Sequence, residues 1–205
     1  VSDDLGREGW ERRWTQVLDG HATDVDRRPP NPTLLAEAAD LPPGLALDAG
    51  AGHGSEALWL AVQGWRVTAV DFSATALARG RTRAERAGVS ERIDWVEGDL
   101  GTWTPPPGRF DLVTCLYVHV AGSAPDMVRR LADGVAPGGT LLLVGHPAVD
   151  PETGAPTRAA GQTQVSVDDA REALDAGSWE LLVAEHRPRE TGGGVDTVVR
   201  ARRRS

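Results

Sequence analysis

The chain has 205 residues, 40% of them hydrophobic, with 22 basic and 30 acidic side chains and a formal charge of −8, enough for one good core and hardly two. The acidic balance, with an isoelectric point near 5.1, argues against the basic face that a nucleic-acid partner normally requires, and no apolar run of about 18 residues suits a membrane span. The lone Cys115 cannot close an intramolecular disulfide, and no Cys/His spacing suits zinc, so the expectation is a cytoplasmic monomer or homodimer without a metal.

Residues 1–43 read as an amino-terminal cap. Trp10 and Trp14 lie one helical turn apart, Arg27-Arg28-Pro29-Pro30-Asn31-Pro32 breaks the pattern, and a short helix follows over 33–40. Residues 44–205 read as the main domain, the two parts forming one compact whole. Short Val/Leu/Ile-rich runs at 45–49, 66–70, 93–97, 110–115 and 140–145 alternate with amphipathic stretches near 54–63, 73–87 and 124–135, which predicts a parallel α/β sheet with crossover helices. The segment 147–164 is long and irregular, suiting a lid or a disordered stretch. Trp179–His186 and Val195–Arg200 flank a glycine-rich turn too short for a helix, so the chain ends in a hairpin. The Arg200–Arg204 cluster reads as a solvated strand end.

Leu47-Asp48-Ala49-Gly50-Ala51-Gly52-His53-Gly54 joins a predicted strand to a predicted helix. Its glycines permit a sharp turn and close approach of a ligand, and the helix amino terminus behind them favours an anionic group such as an amino-acid carboxylate. The dinucleotide fingerprint requires a glycine at position 55, where Ser55 stands, and no Lys-Ser or Lys-Thr pair completes a P-loop. About twenty residues on, Val67-Thr68-Ala69-Val70 ends in Asp71, which can accept both ribose hydroxyl protons, and Phe72 can pack on a purine. Gly98-Asp99-Leu100 places a second carboxylate at the same sheet edge. Alone, Asp71 or Asp99 reads equally as a helix cap; together they describe a nucleoside site.

In LDAGAGHG, AVDFS, EGDL, FDLVTC and APGGTLLLVGH, the stretch 44–202 resembles the class I S-adenosylmethionine-dependent methyltransferases. The resemblance implies a three-layer, doubly wound α/β sandwich with a seven-stranded, mostly parallel sheet and an antiparallel last strand. It also implies S-adenosyl-L-methionine as cofactor, with Asp48, Ala49, Gly50 and Gly52 on its methionine side and Asp71 on the ribose. Phe72 and Leu100 would sandwich the adenine, Asp99 would contact its amino group, and Cys115 would line the site through its backbone. Trp10-Glu11-Arg12-Arg13-Trp14 resembles the cap of thiopurine and tellurite-resistance methyltransferases, which implies that Trp14 closes over the cofactor; packing of the two tryptophans on the domain is the ordinary alternative.

Methyl transfer from a sulfonium is an in-line displacement in which positioning supplies much of the acceleration, and a base is needed only for some acceptors. In this class's topology Cys115-Leu116-Tyr117-Val118-His119 leaves the fourth strand facing the methyl group. His119 suits a proton acceptor, Tyr117 an orienting hydroxyl, and His146, ending the fifth strand, is a third candidate; each is also compatible with plain packing or capping. No Asn/Asp-Pro-Pro-Tyr/Phe motif and no magnesium-binding Asp follow the fourth strand. The expected activity is methyl transfer to a small-molecule S, N or O nucleophile. The competing readings are a non-catalytic cofactor-binding protein and, further off, a nicotinamide-dependent oxidoreductase.

Overall fold

A computed structural model describes residues 7–119, 122–151, 153–157, 164–189 and 193–205. Seven strands form one mixed sheet in the order β3-β2-β1-β4-β5-β7-β6, and the chain comprises two compact units, Val1–Trp103 and Thr104–Ser205.

The first unit runs α1 (Arg7–Asp26), α2 (Pro32–Ala38), β1 (Leu45–Ala49), α3 (Ser55–Val62), β2 (Arg66–Asp71), α4 (Ala74–Ala87) and β3 (Ile93–Glu97). Its strands pair in parallel, β1 on β2 and β2 on β3. The helix boundaries follow local chemistry. Asn31 caps α2, where Pro32 takes the first turn; the Ser73 hydroxyl accepts the Ala76 amide to start α4, and Gly88 in the left-handed region ends it. Ahead of the short α2, expected over 33–40, the cap region contains a helix of 20 residues in α1, whose polar composition hid its continuity.

Trp95 of β3 explains two glycines. A Cβ at Gly80 in α4 would lie 2.3 Å from the indole and one at Gly54 would lie 2.4 Å from it. Gly54, which the sequence offers as a ligand-approach glycine, therefore also makes room for this ring. Trp65 is buried at 2% exposure, in keeping with a packing role.

The second unit runs β4 (Phe110–Leu116), α5 (Ala124–Asp133), β5 (Val135–Gly145), α6 (Val167–Ala173), β6 (Trp179–Pro188) and β7 (Val195–Arg203). β4 and β5 are parallel, while β7 lies between β5 and β6 and is antiparallel to both. The hairpin and the antiparallel last strand are thus as expected. β5 begins five residues before the apolar run, with a register shift opposite Phe110 and Leu112. α6 is an addition, opened by a capping box between Ser166 and Asp169. Of the irregular 147–164 segment, Val149 and Pro156 form a bridge, while 152 and 158–163 lie outside the described residues, as do Thr191 and Gly192 of the hairpin turn. The terminal arginines are more engaged than a solvated end suggests: Arg202 pairs with Glu180 at 2.7 Å and Arg203 donates to the Val135 carbonyl.

Replacing a mid-helix glycine by alanine ordinarily stabilises a helix by about 1 kcal/mol. At Gly80 the sign should reverse: Gly80→Ala is expected to destabilise by about 1–3 kcal/mol through overpacking against Trp95. Urea unfolding checks this, and a midpoint at or above that of the parent would refute the packing argument.

Candidate active site

The first unit gathers the residues expected around the cofactor. The glycine loop leaves β1 with Gly50, Gly52 and Gly54 all at positive φ, conformations that a side chain would strain. Val70 accepts the Gly50 and Ala51 amides at 2.8 and 3.0 Å. The Asp71 carboxylate closes the loop, Oδ2 accepting the Gly52 amide and Oδ1 the Ser73 amide, each at 2.9 Å. Burial raises the Asp71 pKa, the Ser73 and Gly52 amides oppose that rise, and the nearby Glu11 carboxylate adds to it. A carboxylate oxygen has more than one acceptor direction, so the bonds to the loop leave capacity for a ribose diol.

Asp48 and Ala49 are buried at the end of β1. Phe72 is half-buried beyond β2, and Leu100 is buried beyond the adjacent β3. Asp99 is exposed, and its Oδ1 accepts the Gly101 amide at 2.8 Å, so it shapes a turn at the edge expected to meet adenine. The donor set fits the cofactor inferred from sequence: acceptors for the ribose, apolar groups for the base, and a side-chain-free turn before the amino terminus of α3.

The described part of α1 covers this turn. The Trp14 indole would lie 3.0 Å from a Cβ at Gly52 and stacks at a tilt on His53, with ring centroids 5.3 Å apart. Glu11 accepts the backbone amide and hydroxyl of Thr75 at the amino end of α4, and Asp26 pairs with Arg79, Arg83 and Arg86 farther along α4. Arg83 also donates to the His53 carbonyl at 2.8 Å and to the Ser55 hydroxyl at 3.2 Å. Burial lowers the Arg83 pKa, against the attraction of Asp26 and Glu56. Glu56, in the first turn of α3, accepts the Asn31 amide at 3.1 Å, and burial raises its pKa. Glu11, Asp26, Glu56 and Arg83 escaped the sequence reading, because each acts across 25 to 64 residues.

The second unit brings the three catalytic candidates into a polar cluster. Cys115 is buried in β4, in register with Leu143. Tyr117 has φ of 55°, the one non-glycine residue at positive φ among those described. Its amide bonds to the Val144 carbonyl at 2.7 Å, and its hydroxyl donates to Asp196 Oδ2 at 2.7 Å. Asp196 Oδ1 lies 3.0 Å from His146 Nδ1 and 3.5 Å from Arg189 Nε. The Tyr117 and His146 rings stack with centroids 4.4 Å apart. Gln164 Oε1 accepts the His146 amide at 2.6 Å, while Gln164 Nε2 lies 3.2 Å from His119 Nε2. Asp196 and Gln164 were not foreseen: both lie far along the chain from Tyr117 and His119, and neither sits in a recognisable motif.

Residues 46–139 match the model of a methyltransferase domain. The match agrees with the resemblance of the sequence motifs to the class I S-adenosylmethionine-dependent methyltransferases. A trans-aconitate 2-methyltransferase from Paracidovorax citrulli is 31% identical over 136 residues, 63% of this chain and 49% of its own length. Ribosomal RNA small subunit methyltransferase C from Alcanivorax borkumensis is 36% identical over 110 residues, 51% of this chain and 33% of its own. Among solved structures, 1,6-didemethyltoxoflavin-N1-methyltransferase from Burkholderia thailandensis, with its substrate and S-adenosylhomocysteine bound, shares the fold at a TM-score of 0.68 and 21% identity, over 98% of this chain and 88% of its own. The chain spans about a quarter to a half of the length of the curated relatives it matches.

The raised Asp71 carboxyl gives a pH test of its expected place at the cofactor. Were its ionised form to accept the ribose hydroxyls, as its motif implies, affinity for S-adenosylhomocysteine would fall as pH drops toward the folded pKa, which lies above the ordinary 3.8. In the free protein the sign is opposite: a raised carboxyl contributes stability below its unfolded pKa, and that contribution is lost as pH rises through the folded value. Calorimetric titration from about pH 7 down to about pH 5 checks the first statement, with Asp71→Asn as the reference. A slope identical in parent and variant would remove Asp71 from the account.

Proposed function

We propose that the protein transfers a methyl group from S-adenosyl-L-methionine to a small-molecule acceptor with an S, N or O nucleophile. The observation that carries the cofactor half is the Asp71 carboxylate, fixed between the glycine loop and the β2–α4 turn. Asp71 would hold the ribose, Phe72 and Leu100 the adenine, Asp99 its amino group, Asp48, Ala49, Gly50 and Gly52 the methionine end, and Cys115 the site through its backbone, with Trp14 as cover. When bound, the cofactor supplies an electrophilic methyl group on a sulfonium sulfur.

The chain's own groups then have two tasks, orientation of the acceptor and removal of its proton where it has one. Tyr117, His119 and His146 are the residues suited to them, and the cluster they form supports the assignment. A small-molecule acceptor agrees with the relative that acts on trans-aconitate and with the acidic balance of this chain. The same acidity weighs against the nucleic-acid acceptor of the ribosomal RNA relative. We place the protein in the cytoplasm as a monomer or homodimer; among the described residues no helix is long and apolar enough to cross a membrane.

Asp71→Ala removes a charged acceptor of two ribose hydroxyls, at roughly 1.5–3 kcal/mol per bond. Its affinity for S-adenosylhomocysteine should therefore fall about 100-fold or more by calorimetry, with NAD showing no binding to either protein. Parent-like affinity in the variant, or tight NAD binding by the parent, would overturn this reading.

A further inference from the structure

The cluster in the second unit contains a carboxylate with a defined task. Asp196 is buried, 7% exposed in its side chain, whereas the imidazole of His146 is 31% exposed. Asp196 Oδ1 faces His146 Nδ1 at 3.0 Å, and Oδ2 accepts the Tyr117 hydroxyl at 2.7 Å. We propose that Asp196 is a positioning residue that sets His146 as the base of the reaction, which suits an acceptor, such as a phenol or thiol, whose proton must leave. This rests on the methyltransferase reading above.

The tautomer follows from donor and acceptor counting. An ionised carboxylate only accepts, so the Nδ1 of a neutral His146 carries the hydrogen and Nε2 presents the basic lone pair. The ring is held by Asp196 at Nδ1 and by the stacked Tyr117 ring, and Gln164 fixes the backbone amide of the same residue. His119 is differently committed. Because Gln164 Oε1 accepts the His146 amide, its Nε2 is the end facing His119, 3.2 Å from His119 Nε2. An amide nitrogen only donates, and Gln164 Nε2 also lies 3.5 Å from His119 Nδ1, so the His119 ring is engaged by that donor.

Other groups around Asp196 are compatible with this task. Arg189 Nε lies 3.5 Å from Oδ1, a second donor beside the carboxylate. Arg187, opposite Asp196 in the β6–β7 register, pairs with Glu185, and His186 faces Thr197. In the step itself the acceptor's X–H bond breaks and its electron pair forms the new bond to the methyl carbon. The pair of the former methyl–sulfur bond stays on sulfur, and the proton passes to His146 Nε2. The resulting imidazolium is held by Asp196 and releases its proton to water. An acceptor that is already a carboxylate anion would not need this base.

The test begins with calorimetry of the parent and S-adenosylhomocysteine, since absence of binding sinks the methyltransferase reading and not the tautomer assignment. Diethylpyrocarbonate, which acylates an unprotonated imidazole nitrogen, is then applied to the parent and to Asp196→Asn, and the modified histidines are mapped by mass spectrometry. An asparagine amide donating to Nδ1 moves the ring hydrogen to Nε2, so acylation of His146 should slow about tenfold while His186 reacts as before. A purely structural role for Asp196 would loosen the cluster and leave the rate unchanged or faster, which would overturn the proposal. Nitrogen-15 NMR of the parent supplies a second measurement that needs no variant, and a hydrogen on Nε2 of neutral His146 would refute the assignment. With S-adenosylmethionine present, phenol, thiophenol and benzoate serve as acceptor probes. Transfer to phenol or thiophenol, with kcat about 100-fold lower and KM little changed in Asp196→Asn, is expected; transfer to benzoate alone, or to none of the three, would overturn the acceptor class.

Discussion

One carboxylate organises the first unit. Asp71 ends β2, and its two oxygens take the amide hydrogens of Gly52 and Ser73, so a single side chain sets the loop after β1 and the entry to α4. The Val70 carbonyl, one residue earlier, takes Gly50 and Ala51. Without these acceptors the loop amides would face a poorly hydrated surface, at a cost of about 1–3 kcal/mol for each buried, unsatisfied group. The loop is therefore preformed. A ligand bound at Asp71, as proposed, would find a carboxylate already aimed and would gain affinity because little ordering remains to be done.

The same region carries an electrostatic tension. Glu11 accepts from Thr75 at the amino end of α4, where helix dipole and open amides favour negative charge. That stabilises Glu11 but brings a second carboxylate near Asp71, whose pKa rises in response to it as well as to burial. At the other end of the contact, Asp26 binds Arg79, Arg83 and Arg86. α1 is polar, so its attachment to α4 rests largely on charge-assisted bonds. Those bonds set the helix that places Trp14 against Gly52, and through Arg83 they reach the His53 carbonyl in the loop itself.

What the sequence revealed divides along a physical line. Strands β1, β2 and β4 were legible because buried parallel strands read as largely apolar runs bounded by turns, and the edge strand β3 because Ile93, Trp95 and Val96 sit between turns. The final hairpin was legible because Thr191-Gly192-Gly193-Gly194 leaves no room for a crossover. α1 was harder: its residues lack a strong apolar stripe, and its partners on α4 lie 53 to 64 residues away. Gly54 illustrates a different limit. Its place in a glycine-rich turn suggested ligand approach, yet the Trp95 ring explains it as well, and no local pattern links residue 54 to residue 95. Asp196 was invisible for the same reason, being a single acid beside a turn until topology sets β7 against β5.

Backbone strain at Tyr117 bears on what the second unit is built to do. A non-glycine residue in the left-handed region costs roughly 1–2 kcal/mol, and glycine would adopt φ of 55° more readily. Glycine would keep the amide bond to Val144 but lose both the hydroxyl on Asp196 and the ring stacked on His146. The strain is thus tied to the side chain rather than to the turn. In a cluster with a buried acid, a partly exposed imidazole and a glutamine bridging two histidines, a phenol held at that cost restricts the orientation of both the acid and the imidazole. Such restriction contributes little to a core made of Leu141, Leu142 and Val198, and matters most where a proton must be received along a fixed direction.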